Sequence, residues 1–272
     1  GSRHVTFVHT LLVDSTLNKE GLNELSIHFK VPMHGEAYER YVQFDDRTPM
    51  SVQPLIARRP IDMERKDPNT LHALRHIAKW DGFRLSQLSP NGYSIRKRAT
   101  SLNPWIGTIE GTRSNGRVEI GDSTSATVFR LKDFWQSYPS TLQVDNARGD
   151  SATVTVSLYS PEAEAYSFAH YDTIAHSLES SYEDVQPGMS TAWGIARTST
   201  LYINPDSDEE SILLPTPAYL HRKRAFGIWS LPVRENRRDS LVEGTLDGIM
   251  DFYEREIERN GWYGFFNYGD VM

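Results

Sequence analysis

Cysteine is absent from all 272 residues, which excludes disulfide scaffolds, thiolate zinc sites and cysteine nucleophiles together. The same absence leaves the compartment open, with an extracellular place favoured and a cytoplasmic one not excluded. No stretch approaches the run of about 18 apolar residues that a spanning helix needs, and GSRHVTFVHTLL lacks the charged-then-apolar order of a signal peptide. An excess of positive charge is also missing. Lys+Arg number 29 against Asp+Glu 36, a net charge of −7 that offers no global attraction to phosphate backbones or anionic membranes. Neither nucleic acid nor membrane is therefore expected as a partner. There is no GxSxG elbow, phosphate-binding glycine loop, GxGxxG after a strand, HExxH, internal repeat or heptad series. Serine hydrolase and nucleotide-dependent chemistry are disfavoured.

What is present is a chain able to bury a core. It is 38% hydrophobic and 24% charged, with 6 Trp, 13 Tyr and 11 Phe, far from the composition of disorder. Up to about residue 203 the pattern alternates with period two between Asn, Asp, Gly and Pro clusters. Strands are predicted at 5–13, 24–31, 92–98, 105–110, 116–120, 126–131, 141–147, 152–159 and 191–203. So many short, evenly spaced strands imply an antiparallel β-sandwich. Asp67 to Asp81 has helical spacing, and 160–186 reads as irregular with one helical turn.

After Pro215 and Pro217 the period changes. Asp239-Ser240 can cap a helix in which Leu241, Leu246, Ile249, Met250, Tyr253 and Ile257 recur at three- and four-residue steps to about Arg259, and Asn260-Gly261 can stop it. One amphipathic helix cannot bury its own apolar face, so packing on the sandwich or on further helices is expected. The division is 1–214 for the sandwich and 215–272 for a linker and helical segment. Both ends look cut, as in an internal piece of a larger protein.

The densest polar cluster is Tyr93 to Arg98 (YSIRKR). In a strand, Tyr93, Ile95 and Lys97 face one way and Ser94, Arg96 and Arg98 the other. Arginine forks match carboxylates, and a desolvated lysine can act as a base, so this strand suits an acidic substrate; the alternative is a solvated face of paired charges. His72 and His76 would share a helix face without a third ligand in view, so no metal site is assigned. His170, Tyr171, Asp172 and His176 offer imidazole, phenol and carboxylate in an irregular segment, or simply local surface hydrogen bonds. The terminal run from Trp262 to Asp270 (WYGFFNYGD) combines aromatic planes with Asn267, Tyr268 and Asp270, a pairing that suits sugar rings. Core packing against further helices is the alternative role for Trp262 and Phe265.

Several long blocks, FRLSQLSPNGYSIRKR (83–98), LKDFWQSYPSTLQVDNARGDSATVTVSLYSPEAEA (131–165), HYDTIAHSLESSYEDVQPGMSTAWGIARTS (170–199), PAYLHRKRAFGIWSLP (217–232) and WYGFFNYGDV (262–271), resemble the rhamnogalacturonan exolyase-like family, also called YetA-like. The resemblance runs through nearly the whole chain. It implies a larger parent with an N-terminal barrel-like domain, a central β-sandwich and a C-terminal α/α toroid, of which this chain holds the sandwich and the first toroid helix. It further implies action on rhamnogalacturonan, an acidic polysaccharide, by β-elimination. In that chemistry a base removes the uronate C5 proton, a cation or donor stabilises the enolate-like carboxylate, and an acid protonates the leaving oxygen.

Within the matched blocks, Arg96 and Lys97 are the candidates for carboxylate neutralisation and Tyr93, His170 or Tyr268 for proton transfer. Trp262, Asn267 and Asp270 are the candidates for sugar contact. No cofactor is expected, a divalent cation being left open, and the partners are an acidic poly- or oligosaccharide and the rest of the parent chain. The competing readings are a noncatalytic carbohydrate-binding or structural domain, and a glycoside hydrolase whose carboxylates would come from Asp172, Glu183 and Asp270.

Overall fold

A computed structural model describes residues 4–14, 21–53, 79–167, 194–205, 215–225, 227 and 236–265. The described residues divide into two compact units, 4–205 with Tyr263 to Phe265, and 215–262.

The first unit is the antiparallel β-sandwich. One six-stranded sheet runs β1 (Val5–Leu12), β14 (Ala196–Ile203), β10 (Ala126–Leu131), β9 (Arg117–Gly121), β4 (Tyr41–Phe44), β5 (Met50–Ser51). The other runs β3 (Leu25–Pro32), β12 (Ser151–Tyr159), β11 (Ser140–Asp145), β6 (Gly82–Ser89), β7 (Gly92–Arg98), β8 (Ile106–Gly111). A two-residue pair, β2 (Gly21–Leu22) with β13 (Tyr166–Ser167), stands apart. Every pairing is antiparallel. Alternation is why the core forms: Val42, Phe44, Val118, Ile120, Phe129 and Leu201 of the first sheet meet Phe83, Leu85, Ile95, Leu142, Val144 and Val154 of the second in one buried cluster. Phe29 and Phe129 bridge the sheets with ring centroids 5.0 Å apart.

Two buried polar side chains are hydrogen-bonded at every nitrogen. The Arg40 guanidinium, before β4, donates only to carbonyls: those of His34 and Gly35, and those of Ala147 and Gly149 in the β11–β12 turn. Gln87 donates to the carbonyls of Ser89 and Thr112 and accepts from the Ser114 amide. Each ties loops of the sandwich together.

The second unit holds α1 (Pro217–Arg222) and α2 (Arg237–Asn260). The cap of α2 lies three residues before the expected Asp239. Asn236 Oδ1 accepts from the amides of Arg238 and Asp239, both at 2.9 Å, and Asn236 Nδ2 donates back to Asp239 Oδ2 at 2.7 Å. Asp239 thus closes a reciprocal box rather than starting the helix. The expected stop is found: Gly261 takes φ 62°, where a side chain would be strained. None of the residues of α2 is buried, and no described helix is long and apolar enough to cross a membrane. The helix expected over 67–81 lies outside the described residues save for 79–81, which are not helical. In the 160–186 stretch, 161–163 form a turn and 166–167 a short strand, and 168–186 lie outside the described residues.

Candidate functional site

Because Phe83 and Leu85 of β6 and Tyr93 and Ile95 of β7 point into the core, Arg84 and Ser86 and then Ser94, Arg96 and Arg98 project from the outer face of the second sheet. The hairpin register sets Arg84 opposite Arg96. Two like charges at that spacing repel unless an anion joins them. Glu162, in the turn after β12, is that anion: its Oε1 lies 2.9 Å from Arg84 Nη1 and 3.1 Å from Arg96 Nη1, and its other oxygen accepts from the Ser86 hydroxyl. The turn is pinned in place, since Ser160 Oγ accepts from the Glu162 amide at 3.2 Å and pairs with Thr141 Oγ1 at 2.7 Å.

The network continues across the sheet. Arg84 Nε donates to Gln143 Oε1 at 2.6 Å, Gln143 donates to Asp145, and Arg98 Nη2 donates to Asp145 Oδ1 at 2.7 Å. The guanidinium carbons of Arg84 and Arg98 lie 4.2 and 4.3 Å from the centroid of the Trp105 ring. Gly82 makes that stacking sterically feasible: a Cβ there would sit 3.2 Å from Trp105 Cη2 and 2.8 Å from Arg98 Cγ. The result is a sheet face with three arginines, a half-buried indole and a carboxylate already seated between two guanidiniums. Chemically it suits an acidic sugar, through forked hydrogen bonds to a carboxylate and a ring stacked on the aromatic plane.

The structure separates the two cations expected to act together. Lys97 leaves the opposite face of β7, where its Nζ lies 4.2 Å from the centroid of Trp80 and burial pushes its amine below the usual lysine value. Strand alternation forbids Arg96 and Lys97 from meeting one carboxylate. Tyr93 is on the Lys97 side, 5% exposed, and its hydroxyl accepts from Arg47 Nη2 at 2.7 Å. Trp262 follows the α2 stop in the helical unit and donates its amide to Ile257 O at 3.0 Å.

The neighbouring aromatics belong to the sandwich. Tyr263 meets Trp135 edge-on at 4.7 Å, and Phe265, 3% exposed, packs at 5.4 Å from Tyr159. Phe265 therefore finds its core within its own sandwich rather than on further helices. His170, Asn267, Tyr268 and Asp270 lie outside the described residues, as do His72, His76, Asp172, His176 and Glu183. Among the described residues no group of three His, Asp or Glu is placed to hold a metal ion.

Sequence reasoning missed Arg84, Trp105, Gln143, Asp145 and Glu162. Arg84 carried a usable signal, because it alternates with Phe83 and Leu85 just before the Pro90-Asn91 turn that sets it across from Arg96. Glu162 carried none, since it reaches the site through the β12 turn rather than by position in a strand.

A family model described as "PcRGLX-like protein central beta sandwich domain" matches residues 1–60 and 52–211. A second, "PcRGLX-like protein C-terminal alpha/alpha toroid domain", matches 210–272. The chain is also 28% identical over 305 residues to a protein of Bacillus subtilis (strain 168) named "Uncharacterized protein YetA", in an alignment covering 100% of this chain and 36% of that protein. The chain thus spans about a third of the length of that relative.

Proposed function

This chain belongs to the PcRGLX-like protein family, and from that premise we propose that it is the sugar-recognising central region of a lyase acting on a rhamnogalacturonan-type acidic polysaccharide by β-elimination. The observation that carries the proposal is the Arg84–Arg96 pair beside Trp105, already gripping a carboxylate. A galacturonate unit would present its carboxylate to the guanidinium forks and a ring face to the indole. As the C5 proton leaves, negative charge grows on that carboxylate, so a preorganised cation stabilises the transition state more than the ground state. For proton transfer the candidates are His170 and Tyr268, and for sugar hydroxyls Asn267 and Asp270.

The same face also supports a second reading, a noncatalytic carbohydrate-binding domain, because guanidiniums and an indole can hold an acidic sugar without turning it over. The two separate on the full-length protein. Digestion of rhamnogalacturonan should yield products with the ultraviolet absorbance of an unsaturated uronate. New reducing ends without that absorbance would mean hydrolysis, and binding without cleavage would leave the domain a binding module.

A further inference from the structure

The row of side chains that ends at the Arg84–Arg96 cradle starts at the edge of the sheet. On the outer face His28 of β3 stands opposite Thr155 of β12, Thr155 opposite Gln143 of β11, Gln143 opposite Arg84, and Arg84 opposite Arg96. Two residues along each strand, Lys30 stands opposite Thr153 and Thr153 opposite Asp145. Alternation turns Phe29 and Val31 toward the core, so His28 and Lys30 point outward and are exposed. No described strand lies beyond β3. The charges along this face are unevenly paired. Arg84 and Arg96 share Glu162, and Arg98 has Asp145. Lys30 Nζ donates to Thr153 Oγ1 at 2.7 Å and has no carboxylate within ion-pair distance among the described residues. His28 Nδ1 pairs with Thr155 Oγ1 at 3.0 Å, which leaves Nε2 for a further partner. In either tautomer that nitrogen suits a sugar hydroxyl, which both donates and accepts.

We propose that an acidic polysaccharide crosses the strands along this row, with one uronate in the Arg84–Arg96 cradle and a second, four sugar units away, whose carboxylate pairs with Lys30 while a neighbouring hydroxyl meets His28. This rests on the cradle taking a uronate, and adds to it a second carboxylate subsite and a direction for the chain. Geometry selects the spacing. With strands about 4.8 Å apart, the three to four spacings from β3 to the cradle come to about 14–19 Å. A pyranose unit advances by about one strand spacing, so in an alternating polymer a uronate two units away falls short, over β11 and β12, and one four units away reaches β3. Thr155 and Gln143 floor the path between, and no apolar side chain of the row interrupts it. An exposed lysine contributes little alone, so Lys30 strengthens a chain that the arginines already hold and holds none without them.

The test compares binding of the 272-residue chain to alternating tri- and pentasaccharides that carry galacturonate at both ends, by calorimetry and by amide chemical shifts. The trisaccharide should perturb the residues around Arg84 and Arg96 and leave β3 unmoved. The pentasaccharide should bind about 5-fold more tightly and also perturb His28 to Lys30 and Thr153 to Thr155. Lys30→Gln should return the pentasaccharide to the affinity of the trisaccharide, whose own binding stays unchanged, whereas Arg84→Gln with Arg96→Gln should abolish both. Equal affinity for the two lengths, a length gain that persists in Lys30→Gln, or no shifts in β3 would overturn the second subsite while the cradle still binds the trisaccharide. Binding of neither oligosaccharide, or of both without shifts at Arg84 and Arg96, would overturn the cradle itself and the path with it. If Lys30→Gln does not fold, the length dependence and shift map of the wild-type chain decide.

Discussion

Arg84 and Arg96 stand opposite each other across the β6–β7 hairpin and share one oxygen of Glu162, at 2.9 and 3.1 Å. An internal carboxylate thus occupies the place where a substrate carboxylate would be read. Glu162→Gln keeps the shape and removes the charge, so an acidic sugar no longer has to displace an anion. Affinity for a galacturonate-containing oligosaccharide should rise about 10-fold, while stability falls by about 1–2 kcal/mol as the paired guanidiniums lose their partner. Calorimetric titration and thermal unfolding of the same variant check both; equal or weaker sugar binding in a folded Glu162→Gln would remove Glu162 as a competitor.

Arg96 and Lys97 are neighbours in sequence that should behave as strangers. Arg96→Ala is expected to weaken binding of acidic oligosaccharide with little change in melting temperature, since its side chain is 37% exposed. Lys97→Ala is expected to leave sugar binding intact and cost about 0.5–1 kcal/mol through the lost stacking on Trp80. Parallel loss of sugar binding in both variants would contradict their placement on opposite faces.

Asp122 and Glu119 make the fold acid-sensitive. Burial opposes ionisation of Asp122, but the Thr124 hydroxyl and the amides of His34, Thr124 and Ser125 outweigh it and hold the carboxyl far below the ordinary range. Burial likewise opposes ionisation of Glu119, and the Tyr41 hydroxyl and Arg117 outweigh it. A carboxyl held low in the folded state contributes stability above its unfolded value, 3.8 or 4.5, and that contribution is lost as pH falls toward the folded value. The melting temperature should drop as the pH falls from about 5 to about 3. Asp122→Asn should lower it at neutral pH and flatten the decline; an unaltered slope would be the contrary result.

Asp45 runs the other way. Burial pushes its carboxyl up against the hydrogen bonds from Ser114 and the backbone. The folded state therefore favours the protonated form, and stability falls as pH rises from the unfolded value through the folded one. Asp45→Asn imitates the neutral form, and asparagine tolerates the φ of 48° at this position. It should cost little at neutral pH, within about 0.5 kcal/mol of wild type or better. A loss of several times that in thermal unfolding would show the charge to be needed.

The sandwich was legible because its inward residues alternate: Tyr93 with Ile95, Val118 with Ile120 and Val154 with Val156 write the core face directly into the chain. β4 and β5 escaped because four- and two-residue strands are too short to show a period, and β6 was not among the expected strands although Phe83 and Leu85 alternate in it. The helix and its glycine stop were visible, whereas its cap was displaced because Asn236 precedes any apolar repeat. At the site, the split of Arg96 from Lys97 followed from strand geometry alone. The joining of Arg84, Glu162 and Trp105 did not, since it depends on strand register and on a loop returning to the sheet, neither of which local spacing encodes.

The most direct measurement is binding of the 272-residue chain to an oligosaccharide of alternating rhamnose and galacturonate, compared with the same oligosaccharide after its carboxylates are reduced to alcohols. Recognition through the Arg84–Arg96 cradle requires the acid form to bind at least about 10-fold more tightly, a preference that the double variant Arg84→Gln, Arg96→Gln should abolish. Equal affinity for the acid and reduced forms, or a preference that survives in the folded double variant, would contradict it.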